Sequence, residues 1–307
     1  MRGDPSATQE FVPATGDFSE PAKGSRLAAI RAEIDPEPAA TLESGAGRAR
    51  DSCHVRRVSP PTLEQRLACR ARPPGFAVMR QRWSRILFLH WQVDPEPLRA
   101  LLPPGLHLDL HEGAAWLGIV PFFMERVRPS LLPVVPGLSW FLELNVRTYV
   151  HDDHGVPGVW FHSLDCNQPI AVELARKLFH LPYRHAEMSC RTAGRNTGYR
   201  CLRRGHVEDA RFRYGPGGPA RAAAPGTLEF FLAERYLLYS AAKDGSLSLG
   251  RVYHAPYQLA PADCSEWSTL PAVWNGLPPI SFPPQSALWV DHIDVSVFPL
   301  KRLALKR

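Results

Sequence analysis

The sequence predicts an α+β fold made mostly of antiparallel strands, and three observations carry that expectation. First, Phe141–Val150 alternates with period two, and a second apolar run, Val159–Leu164, follows a turn rich in His, Asp, Gly and Pro. Successive strand side chains point to opposite faces, so the two runs read as a β-hairpin with a long loop. Second, 22 glycines and 31 prolines among 307 residues break the chain into many short elements. Third, only two or three stretches have helical periodicity, the clearest being Pro169–Phe179. Many strands with few helices segregate as α+β.

Taken in order, residues 1 to about 75 are rich in Ala, Pro, Gly, Ser and both charges and poor in aromatics. They are expected to form a disordered tail, with short helical patches around 25–34 and 62–70, and residues 76–307 a single domain. Arg85–Trp91 reads as a buried strand. Asp94 caps a short helix over 95–102, with Pro95 at its first position and Pro103-Pro104-Gly105 as its stop. His107–His111 alternates as an edge strand, Ala114–Met124 returns, and 129–137, with three prolines, loops into the hairpin. In that hairpin Leu142, Leu144, Val146, Thr148 and Val150 share one face; Phe141, Glu143, Asn145, Arg147 and Tyr149 share the other. An acid, an amide and a base between two rings either meet solvent or line a polar cavity. After Asp165 comes the helix over 169–179, where Ile170, Leu174 and Leu178 predict a buried stripe and Pro182 the exit. Strands are expected near 186–191 and 199–203, then a loop over 215–226. Residues 228–239 fit helix or strand. Lys243-Asp244-Gly245 turns into a strand over 247–254, and Ala287–Phe298 is the last strand.

The net charge is +6, but the basic residues are scattered, which argues against nucleic acid as a partner. Cys53, Cys69, Cys166, Cys190, Cys201 and Cys264 form no CxxC pair, so the default setting is reducing and cytoplasmic. The N-terminus has no apolar signal core, and the longest apolar run, Trp116–Met124, is too short to span a bilayer. His107 with His111, and the 151–154 turn with its two histidines and two aspartates, fall short of a convincing metal set, so no metal or other cofactor is expected. His162, Ser163 and Asp165 lack the glycines of a nucleophile elbow. Residues 215–219 place prolines where a phosphate cradle needs N–H donors. Oligomeric state is left open.

Four motifs in order, the strand Phe141–Val150, Trp160–Asp165, Ala-Arg-x-x-Phe-x-Leu-Pro-Tyr over 175–183 and Glu-Arg-Tyr over 234–236, resemble the YqjF-like family, whose activity is not established. The resemblance covers roughly residues 79–298. More distantly, Asp94, Leu98, Arg99, Leu102 and Pro103, with Leu164, Asp165, Pro169–Val172, Arg176 and Pro182, are similar to acetoacetate decarboxylase. That resemblance implies a curled, mostly antiparallel sheet around a central helix, enclosing a buried pocket. It places Glu143 at a pocket glutamate and Tyr183 where the Schiff-base lysine belongs. Arg184 falls at the neighbouring lysine and Trp116 near a second pocket glutamate. Without an amine no imine can form. Lys177 lies two turns upstream on another face.

The candidate ligand-binding residues are therefore Glu143, Asn145, Arg147, Tyr183 and Arg184, with Glu143 and Tyr183 as candidate catalytic groups. Glu143 and Arg147 are roughly 13 Å apart along the strand, so each is expected to have its own partner. Arg176, Arg184, Glu234 and Arg235 are available for that role, while Glu234, Arg235 and His254 have no assigned function. The expected partner is a small carbonyl or carboxylate compound. Three functions fit: a binding module, an enzyme using Glu143, Arg147 and Tyr183 without an imine, or a protein that binds a macromolecule.

Overall fold

The computed structural model describes residues 58–303. The chain opens with helix α1 (Leu63–Ala68), strand β1 (Met79–Val93), α2 (Pro95–Ala100), β2 (Leu106–Leu108) and β3 (Ala115–Pro129). The expected hairpin follows as β4 (Phe141–Asp152) and β5 (Pro157–Cys166), then α3 (Pro169–Phe179). Next come β6 (Tyr183–Ala193), β7 (Asn196–Arg203), β8 (Ala210–Pro216) and β9 (Arg221–Ala222). The chain continues through α4 (Leu228–Ala233), β10 (Leu237–Ala241), β11 (Leu247–Tyr253), β12 (Gln258–Glu266) and α5 (Leu270–Val273). It ends in β13 (Ser286–Val297) and β14 (Lys301–Arg302).

Nearly all pairings are antiparallel, and they close on themselves twice. From β4 the ladder runs through β5, β6, β7, β8, β12, β13, β1 and β3 and returns to β4. A second, smaller circuit uses the same wall, β5, β4, β3, β1 and β13, but closes through β10 and β11. The shared wall is thus covered on both faces, which explains why β4 is buried almost from end to end. Closure also removes the unpaired edges that an open sheet would present.

The two interiors differ. The larger ring is packed solid by Leu87, Leu89, Trp91, Leu117, Ile119, Leu144, Val146, Phe212 and Trp289. On the other face of the wall, Ile86, Phe88, Val120, Phe122, Val252 and Val290 line a space that the chain leaves open. Helix α3 and the loop over 130–139 lie at its mouth.

Three expectations are corrected. The boundary near residue 75 is too late, because α1 is built into the domain. Thr62 and Gln65 form a capping box, Arg66 makes a two-pronged ion pair with Asp109 at 2.6 Å, and Arg70 reaches Glu234 at 3.3 Å. The expected tail over residues 1–57 lies outside the described residues. The stripe of α3 is not buried either: Ile170, Leu174 and Leu178 are 54%, 52% and 62% exposed, and Val172 is the helix's one fully buried residue. The segment 228–239 is neither helix nor strand throughout, since α4 ends at Ala233 and β10 starts at Leu237. Strands β8 and β12 went unforeseen in Gly- and Pro-rich sequence. Among the described residues no helix is long and apolar enough to cross a membrane.

Candidate functional site

The mixed face of β4 lines the cavity. Period-two geometry sends Leu142, Leu144 and Val146 into the packed ring, and so must send Glu143, Asn145 and Arg147 into the open one. The cavity has a volume of about 760 Å³ and an overwhelmingly apolar wall that includes Phe88, Phe122, Phe161 and Tyr257.

Near the mouth, the Tyr183 hydroxyl donates to Glu143 Oε2 at 2.8 Å. Tyr183 is placed there by the start of β6, which runs parallel to β5 with Leu164 opposite Tyr183. Arg176 on α3 fixes that start by donating from Nε to the Tyr183 carbonyl at 2.8 Å. Glu143 is almost wholly buried, and burial pushes its carboxyl up to about 8; the Tyr183 hydrogen bond opposes this and the Asp165 charge adds to it. At neutral pH Glu143 is a neutral acid. Burial likewise pushes the Tyr183 phenol well above its ordinary value, so it acts as a hydrogen-bond donor and not as a phenolate.

Deeper along β4, Arg147 is 8% exposed and donates to the Leu232 carbonyl at 3.0 Å. Its guanidinium lies 5.1 Å from the Phe88 ring centre. Gly118 on β3 makes this packing possible, because a Cβ there would come within 3.2 Å of Arg147 Cγ. Among the described residues no carboxylate comes within ion-pair distance of Arg147, and its Nε and the nearby Asn145 Oδ1 are buried without partners. His90, packed beside it, is held well below its ordinary value by burial and then by the Arg147 charge, so it stays neutral.

Other expected residues lie elsewhere. Arg184 is exposed, one step past Tyr183 and therefore on the other side of the strand. Trp116 packs with Tyr149 and Phe231 outside the cavity wall. Ser163 Oγ is taken by Arg203 and Asn275, and Asp165 makes a buried bidentate pair with Arg203 at 2.6 and 2.8 Å. Neither engages His162, whose Nε2 has no partner and which sits at the β4–β5 register shift. Asp109 pairs with both Arg66 and Arg235, and Glu234 accepts from the Tyr257 amide and the Tyr236 hydroxyl and forms an ion pair with Arg70. Burial raises the Asp109 carboxyl, but Arg235 and Arg66 more than offset this and hold it below its ordinary value. The Glu-Arg-Tyr motif thus ties α4 to the domain through ion pairs and hydrogen bonds, while Arg235 and Tyr236 also line the cavity. His254 packs between Tyr236 and Tyr257 at 4.5 Å from each ring centre. Among the described residues no three His, Cys, Asp or Glu side chains converge as a metal site. The wall residues Phe88 and Tyr257 and the apolar mouth were missed; Leu131, Leu132, Val134, Val135 and Leu138 in a Pro-rich loop were the available signal.

A family model described as "uncharacterized conserved protein" matches residues 80–294. The chain belongs to the DUF2071 family. It is 40% identical over 192 residues to the uncharacterized protein YqjF of Bacillus subtilis, covering 62% of this chain and 78% of that one. Among solved structures, the DUF2071 chain is similar to the enduracididine biosynthesis enzyme MppR complexed with pyruvate, with TM-score 0.54 and 15% identity over 76% of this chain and 92% of that one. Acetoacetate decarboxylase from Legionella pneumophila gives TM-score 0.52 and 15% identity over the same shares of the two chains. At this identity the likeness establishes the fold. The DUF2071 chain has a strand-rich fold with a few helices that is similar to the fold of acetoacetate decarboxylase.

Proposed function

We propose that this chain binds an organic carboxylate or carbonyl compound in the cavity reversibly, without an imine. The observation that carries the reading is Arg147: a buried cation on a cavity wall with no carboxylate partner among the described residues. An uncompensated buried charge is costly, and an anionic ligand would offset that cost. MppR, a relative in fold, is complexed with pyruvate, which agrees with this ligand class. The lysines among the described residues, Lys177, Lys243 and Lys301, do not line the cavity. The free cysteines support a reducing, cytoplasmic setting.

Borohydride reduction in the presence of a β-keto acid is the direct test. The expected mass spectrum shows no covalent adduct, and Arg147→Ala weakens reversible binding of the acid at least tenfold. An adduct mapped to Lys177, or binding indifferent to Arg147→Ala, would overturn the proposal. A second reading rests on Glu143, a neutral acid with a value of about 8 beside a ligand space. As a proton donor to a ligand carbonyl, it would give turnover with keto acids or lactones and a rate inflection near pH 8 that Glu143→Gln abolishes.

A further inference from the structure

The cavity is far larger than a small keto acid requires. At ~30 Å³ per water-sized group, its 760 Å³ corresponds to on the order of 20 non-hydrogen atoms. Its polar groups are few: Glu143, Asn145 and Arg147 are spaced along β4, and Tyr183, Arg235, Arg128, Gln81 and Gln168 reach it from other elements. Arg147 lies at the deep end beside α4, and Glu143 with Tyr183 lies near α3, roughly 13 Å away at strand spacing. Apolar side chains line the space between them, and the apolar character continues past the mouth. Leu132 on the loop and Ile170, Leu174 and Leu178 on α3 line the cavity while each remains more than half exposed. A helix that turns its apolar stripe toward a cavity mouth instead of a core leaves that surface for something the cavity admits.

We propose that the occupant is a monocarboxylate with an unbranched apolar chain of about ten carbons or more, its carboxylate on Arg147 and its tail leaving between α3 and the 130–139 loop. This rests on the ligand-binding reading above and extends it from the charged group to the rest of the molecule. The chain length follows from the roughly 13 Å of strand between Arg147 and Glu143, which the tail must pass to reach α3, and from C–C bonds of ~1.5 Å in a zigzag. Two features oppose a neutral lipid. Arg147 would keep its uncompensated charge, and Asn145 Oδ1 and Arg147 Nε mark the same end as polar. The second end holds the neutral pair of Glu143 and Tyr183 in a mostly apolar lining, which Gln81, Arg128, Ser139 and Gln168 also join.

The test is calorimetric titration of the full chain at pH 7 with acetate, hexanoate, decanoate and decanol, each below its micelle or solubility limit. Burying one methylene contributes a factor of about four, so decanoate is expected to bind at least tenfold tighter than hexanoate, and acetate weakest. Decanol is expected to bind at least tenfold weaker than decanoate, and Arg147→Gln to remove that preference. Leu174→Glu at the mouth, on an exposed position that cannot disturb the core, is expected to weaken decanoate and leave hexanoate unchanged. Acids that bind through Arg147 with no dependence on chain length would overturn this inference and leave the ligand-binding reading standing. Decanol binding as tightly as decanoate would overturn it as well. If no acid in the series binds, both proposals fall.

Discussion

At the scale of single residues, Glu143 governs the expected pH behaviour. Its folded value, about 8, lies above the ordinary 4.5. Between those values the folded state holds a proton that the unfolded state has released, so stability is full below about pH 4.5 and declines as pH rises through 8. Glu143→Gln cannot titrate and lacks this decline. Unfolding free energies of the two proteins from pH 5 to 9 are therefore expected to diverge in favour of the variant at the alkaline end, by on the order of a few kcal/mol. Parallel curves would show that Glu143 is solvated. Much of the candidate site's cavity lining was legible at this scale. A strict period-two strand placed Glu143, Asn145 and Arg147 together, and the resemblance supplied Tyr183. The same alternation should have removed Arg184, because adjacent strand residues cannot share a face. Phe88 and Tyr257 were out of reach, since they arrive from β1 and from the link before β12, which only the closed ladder brings to the cavity.

At the scale of elements, α1 and α3 show where local pattern misleads. Six residues with no buried member look dispensable, yet α1 and the turn after it deliver Arg66 and Arg70 to two carboxylates whose side chains are fully buried. A chain starting at Gly75 would leave Asp109 with Arg235 alone and Glu234 without Arg70. Breaking buried pairs costs about 3–5 kcal/mol, so this truncation is expected to melt on the order of 10 °C lower than a chain starting at Val58. Equal melting temperatures would refute the structural role of α1. In β4 the predicted faces hold, and Val146→Asp, which puts an unpaired carboxylate into the packed ring, is expected to abolish soluble expression. For α3, hydrophobic periodicity identified the helix and its apolar side correctly but could not say what that side faces. The physical reason is that a stripe records a preference for leaving water, and a ligand space satisfies it as well as a core does.

At the scale of the whole molecule, the shared wall of five strands belongs to two closed circuits. Its amides are covered from both sides, so in hydrogen exchange β3 and β4 are expected to open only with global unfolding, whereas α1 and β14 exchange through local fraying. Early exchange in β4 would mean that the two rings open independently. The α+β class was legible from alternation and punctuation. The double closure was not, because β8 ends in Gly215-Pro216, β12 carries Pro261 and the residue pairs that close the smaller ring are few. The wall also has an evolutionary consequence. Along β4, one set of alternate positions answers to packing and the other to whatever fills the cavity, so substitutions can accumulate on the second set without eroding the first. Ligand preference can therefore diversify within the family at a constant scaffold stability, and a saturation library of β4 would show tolerance rising and falling with a period of two.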